Sequence, residues 1–145
     1  MLTQLKTIMN KTRKKQKLSL LICWAILLIG EIVFFRNVLT NDLLFGDNGD
    51  GRLTMLFTEH WYHVFTGQQS LANMGFFYPV TNTLGYSDIF FTFGLLHTLL
   101  RFLGCDVFIA FKTTLMLVHL FGTYSCFYYL KRQLKVNSFW SLLVL

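Results

Sequence analysis

Residues 18–35, LSLLICWAILLIGEIVFF, decide what kind of fold this chain can adopt. The run holds eighteen residues and a single charge, Glu31, near its far end. At ~1.5 Å per residue it reaches ~27 Å as a helix, just enough for the hydrocarbon core of a bilayer. Lys6, Lys11, Arg13, Lys14, Lys15 and Lys17 precede it. A signal peptide has a similar basic start, but no small-residue cleavage site follows Gly30. The run therefore reads as an uncleaved signal anchor with its N-terminus cytoplasmic.

The rest of the composition agrees. A chain of 145 residues that is 54% hydrophobic and 17% aromatic is too apolar for an ordinary soluble domain and too poorly charged for a disordered one. A net charge of +6 raises the question of nucleic acid. The positions answer it, because the cations abut apolar runs: six before residue 18, and Lys131, Arg132 and Lys135 after residue 130. That is the positive-inside pattern of a membrane protein, so no nucleic-acid partner is expected. All seven acids, Glu31, Asp42, Asp47, Asp50, Glu59, Asp88 and Asp106, fall at or beyond the outer end of the first run. Cys23, Cys105 and Cys126 have no metal-like spacing and read as small hydrophobes.

Working outward from the first run gives a segment plan. Residues 1–17 form a basic cytoplasmic N-terminus, able to lie as a short helix on anionic lipid. Residues 18–35 make the first transmembrane helix, 36–106 an extracytoplasmic loop, 107–130 a second transmembrane helix and 131–137 a cytoplasmic loop. Residues 138–145 begin a third span; an apolar run that stops there is expected to belong to a longer protein with a further C-terminal membrane bundle. Inside the loop, residues 53–65 place Leu53, Leu56, Phe57, Trp61, Val64 and Phe65 near one helical face, with Glu59, His60 and His63 mostly off it. Residues 89–103 are apolar but short for a span, and His97 and Arg101 interrupt them. If they crossed, the basic 131–135 segment would lie outside, so an interfacial or re-entrant helix is expected instead. The expected fold is all-α: a polytopic helical membrane protein with a large outer loop containing interfacial helices.

The chemistry-bearing stretch is residues 44–67, LFGDNGDGRLTMLFTEHWYHVFTG. Gly49 and Gly51 permit a tight turn that can aim Asp47 and Asp50 into one small volume. Such a pair could share a divalent cation, Mg or Mn, or one carboxylate could take a proton while the other orients a substrate. An EF-hand fails, since its first and twelfth positions would be Gly46 and Phe57. The plain alternative is that both aspartates are turn formers. His60 and His63 stand three apart, but no third ligand follows at a zinc spacing and a polar helix face explains them as well. Arg52, Arg101 and Lys112 could each meet a lipid phosphate at the outer leaflet, or snorkel or pair with nearby acids. Trp61 and Tyr62 suit headgroup level. His97 and His119, in apolar runs, read as packing residues.

A basic start, one anchor span and a large outer loop opening with an acidic pair resemble the GT-C superfamily of membrane glycosyltransferases. The likeness extends to a loop helix ending in Gly67, an aromatic–proline element at Phe76, Phe77, Tyr78 and Pro79, and an apolar helix ending Arg–Phe–Leu–Gly. The nearest look is to bacterial glycosyltransferase 39-like and YfhO-like membrane proteins. The resemblance implies a multispan helical protein of the bacterial inner membrane and a polyprenyl-phosphate-linked sugar donor on the outer side. It also implies a loop acid as general base: Asp50 by position, with Asp47 as its partner. Arg101, Lys112, Arg52, Glu59, His60 and Trp61 would then serve the substrate. The spacing D-N-G-D departs from the family, which often has one or no residue between its acids. The alternative function is a non-enzymatic integral membrane subunit, for transport or assembly, with the loop as its docking surface.

Overall fold

The computed structural model describes residues 2–40, 46, 49–86, 88–137 and 141, with side chains described from Lys14 onward except at Gln16. Among the described residues, four α-helices and one 3-10 turn follow in order: α1 (Leu2–Thr40), α2 (Asp50–Phe65), the 3-10 turn Thr83–Tyr86, α3 (Phe91–Phe102) and α4 (Val107–Arg132). Among the described residues there are no strands.

Helix α1 is continuous through the expected boundary at residue 17 and runs five residues past Phe35. The lysines, arginine and glutamine before residue 18 are nearly as good helix formers as leucine. The change from polar to apolar at Lys17 thus alters what surrounds the helix without breaking its backbone. No Gly or Pro interrupts residues 36–40, and Thr40 Oγ1 donates to the Arg36 carbonyl in the last turn. Within α1, residues Lys17–Thr40 are long and apolar enough to cross a membrane, as are Val107–Arg132 of α4. Helix α3, twelve residues and so ~18 Å, is too short to do so.

The helix ends follow from the local sequence. Asp50 stands in the first turn of α2, where a carboxylate complements the positive end of the helix dipole. Gly67, at φ 73°, closes the other end with its N–H on the Val64 carbonyl, a backbone angle that suits glycine. Asp106 caps α4: its Oδ1 accepts from Phe108 N at 2.8 Å and Ile109 N at 3.2 Å.

The chain divides into two compact units, residues 1–35 with 120–145, and residues 36–119. In the first, Trp24 of α1 stacks on Tyr124 of α4, ring centroids 4.8 Å apart, and Cys23, Phe35 and Phe127 are buried. The second is organised by α2 packed on α3. The expected third span lies outside the described residues except for Ser141, whose N–H bonds to the Asn137 carbonyl.

Candidate functional site

Close approach of two helices builds the site. Gly94 of α3 faces the indole of Trp61 on α2, and a Cβ at position 94 would stand 2.5 Å from Trp61 Cγ. Trp61 is 5% exposed, meets Phe91 edge-on and donates its Nε1–H to the Ile89 carbonyl at 2.8 Å. One ring thereby fixes the entry and the first turn of α3. Phe57, also buried, adds rings from Phe76 and Phe90.

One turn along, the contact becomes polar. Glu59 of α2 extends its carboxylate to α3, where His97 Nε2 lies 2.6 Å from Oε2 and Arg101 Nε donates to Oε1 at 3.2 Å. His63, one turn further along α2, sits 3.7 Å from Oε1. Arg101 is held on two more sides, donating Nη1–H to the Cys105 carbonyl at 2.8 Å and lying over the Tyr62 ring. The His97 side chain is fully buried and that of Glu59 is 12% exposed. Burial pushes the His97 pKa below its ordinary value; the hydrogen bond and charge of Glu59 oppose this, and the Arg101 charge adds to it. His97 is therefore neutral near pH 7, with its proton on Nε2 and donated to the carboxylate. Its Nδ1, unprotonated in that tautomer, is buried and meets no partner at hydrogen-bond geometry, although the Ala110 backbone exerts a weak raising pull.

A returning loop covers the other side of α2. His60 is buried, with Nδ1 2.8 Å from Gln69 Oε1 and Nε2 3.2 Å from the Leu71 carbonyl. Oxygens on both sides of the ring thereby pin the imidazole between α2 and the returning loop. Beside this lies a cleft of about 290 Å³ bordered by Leu56, Phe57, Glu59, His60, His63 and Phe76, among others.

The expected site residues thus separate into two places. Asp50 is exposed at the start of α2 with Arg52 close behind. Glu59 comes nine residues later, ~13.5 Å along the helix and half a turn round it. Asp47 lies outside the described residues, and with it the proposed carboxylate pair. Among the described residues no group of three His, Cys, Asp or Glu could hold a metal ion. Trp61 is occupied by helix packing and shows no open face, His60 ties the loop to α2, and Lys112 is half-buried on α4. His97 is the residue that sequence reasoning took for simple packing. Its signal was its spacing of four from Arg101 within an apolar run, which puts two polar groups on one face of a helix.

The polarity of α3 is inverted relative to a helix of a water-soluble domain. His97 and Thr98 are buried, while Phe91, Leu95, Leu99 and Phe102 are exposed at 46%, 37%, 60% and 59%. These four are spaced by four, four and three residues and form one apolar stripe. No protein-family model, curated protein or solved structure matches this chain.

Proposed function

We propose that the chain is the N-terminal part of a GT-C-like membrane glycosyltransferase whose first outer loop carries the acidic site. The observation that carries this reading is the inverted α2–α3 pair, set in sequence between two helices apolar enough to cross a bilayer. A stripe of exposed Phe and Leu on α3 is costly in water and satisfied in lipid, so the pair suits the headgroup boundary of the outer leaflet. Asp50 opens that pair and is exposed.

In this reading a polyprenyl-phosphate sugar enters from the bilayer. An acceptor hydroxyl attacks the anomeric carbon, the bond from that carbon to the phosphate oxygen breaks, and polyprenyl phosphate leaves with the bonding pair. Asp50 takes the hydroxyl proton, because an alcohol is a weak nucleophile until a carboxylate in reach accepts its hydrogen. Arg52, two residues on and exposed, is the cation best suited to the leaving phosphate. Arg101 is committed to Glu59 and the Cys105 carbonyl, so its part is to position α3.

The test is release of polyprenyl phosphate from a radiolabelled polyprenyl-phosphate hexose by the full gene product in proteoliposomes. Asp50→Asn is expected to lower it by about a hundredfold or more, the usual contribution of a general base. Undiminished release by that variant would remove Asp50 from the reaction. The reading as a non-enzymatic subunit rests on the exposed rings Phe77, Tyr78 and Tyr86 of the loop, which suit a docking surface. Release of polyprenyl phosphate by the wild-type protein would refute it.

A further inference from the structure

The unit formed by residues 1–35 and 120–145 holds a cleft of about 750 Å³ bordered by Ser19, Trp24, Tyr124, Tyr128, Lys131 and Arg132, among others. Its two cations are drawn back over aromatic rings: Lys131 Nζ lies 5.7 Å from the Phe127 centroid and Arg132 Cζ 5.8 Å from that of Tyr128. Ser19, Tyr124 and Tyr128 add hydroxyl donors. Among the described residues no acid borders the cleft. Glu31 is the sole acid in this unit's sequence, set against nine Lys and Arg, and it stands seven residues beyond Trp24. Above the cleft the surface turns apolar, with Leu28 one turn from Trp24 and Phe121 one turn from Tyr124, both exposed. Cations and hydroxyls at one end of an apolar groove complement a ligand with an anionic head and a hydrocarbon tail.

We infer that this cleft seats the phosphate headgroup of an anionic phospholipid on the basic side of the membrane, its acyl chains running along α1 and α4. A further protein helix would need acids to answer the two cations. The phosphodiester of a lipid answers them directly and continues into the apolar groove. The inference rests on α1 and α4 crossing the bilayer and is independent of any transferase activity.

Trp24 reports on the site. The protein is reconstituted in phosphatidylcholine vesicles containing either brominated phosphatidylglycerol or brominated phosphatidylcholine, and the Trp24 fluorescence is isolated by difference against Trp24→Phe. Brominated phosphatidylglycerol is expected to quench it at an about tenfold lower mole fraction, since each basic residue at a charged surface favours anionic lipid about fivefold. Lys131→Gln with Arg132→Gln is expected to abolish that preference, and Lys131→Arg with Arg132→Lys to keep it. Lys14→Gln with Lys15→Gln, which removes equal charge outside the cleft, is expected to leave most of it. Equal quenching by the two lipids would overturn the inference, as would no quenching by either, which means that protein fills the cleft. A loss in the Lys14 and Lys15 variant equal to that at 131 and 132 would reduce the effect to diffuse attraction and overturn the site. Should the variant at 131 and 132 fail to insert, the wild-type comparison of the two lipids decides by itself.

Discussion

Trp61 and Gly94 are complementary: the indole occupies the space that a side chain at position 94 would need. This contact sets how near α2 and α3 can come, and so whether the Glu59 carboxylate can reach His97 and Arg101 at all. The order of causes runs from an absent Cβ, through helix spacing, to a buried ionic contact.

Gly94→Ala is therefore expected to destabilise the α2–α3 pair by roughly 1–3 kcal/mol, the usual cost of overpacking. The loss should shrink when Trp61 is replaced by Ala, because the obstructing ring is then gone. Chemical unfolding in detergent, followed by tryptophan fluorescence for Gly94→Ala and by circular dichroism across the double-mutant cycle, measures both. Strictly additive effects of the two substitutions would show that the ring and the glycine do not constrain one another.

Glu59→Gln keeps the shape of the hub but removes its charge. Arg101 then faces a neutral acceptor in a partly buried setting, and a cost of about 1–3 kcal/mol is expected. Glu59→Ala should cost more, since His97 Nε2–H would also lose its acceptor. The thermal midpoint of the detergent-solubilised protein reports the ranking, and an unchanged midpoint in both would make the hub energetically silent.

His97 gives the fold a dependence on pH whose sign follows from its lowered pKa. The unfolded chain takes up the imidazole proton at a higher pH than the folded one does. The stability due to the neutral ring is thus fully present above the unfolded value, near 6.5, and is lost as pH falls through it toward the lower folded value. Glu59, Arg101 and His63 face the same cluster and shape the curve. Unfolding midpoints should be flat above about pH 7 and decline between about pH 7 and 5, with a shallower decline in His97→Gln. An identical slope in that variant would assign the dependence to another group.

The orientation is open to direct labelling. Tyr86→Cys and Lys135→Cys, introduced singly with the three native cysteines replaced, fall on opposite sides if α1 and α4 each cross once and α3 does not. A membrane-impermeant maleimide added to intact cells should modify position 86 readily and position 135 only after permeabilisation. Equal labelling of both in intact cells would mean that α3 crosses too, or that the two long helices do not span.

Much of this architecture could be read from the residues. The start of α4 was legible because the apolar residues 107–111 follow Asp106, and the end of α2 because Gly67 stands two residues past Phe65. The interior of the loop was not. A one-face reading of α2 put Glu59 and His60 on an outer polar surface, yet α3 covers the first and the returning loop through Gln69 and Leu71 covers the second. A helix sandwiched from two sides buries polar groups that a single amphipathic stripe assigns to solvent. Leu53, Leu56 and Phe65, read on the same apolar face as Phe57 and Trp61, are exposed while those two are buried, so one stripe divides between helix packing and the surface. For Arg101, pairing with an acid was one of the readings open from sequence, but its partner lies 42 positions away and no local pattern could choose it.

The four-residue interval between His97 and Arg101 has a mechanical corollary. Both oxygens of a single carboxylate are engaged by groups on successive turns, so α3 cannot creep past α2 by small increments. Advancing it by one residue would swing both partners through ~100° and carry them away together. The hairpin accordingly has one seating, held or released as a whole, and any motion that opens the cleft beside Glu59 must unlatch both ends of that carboxylate at once.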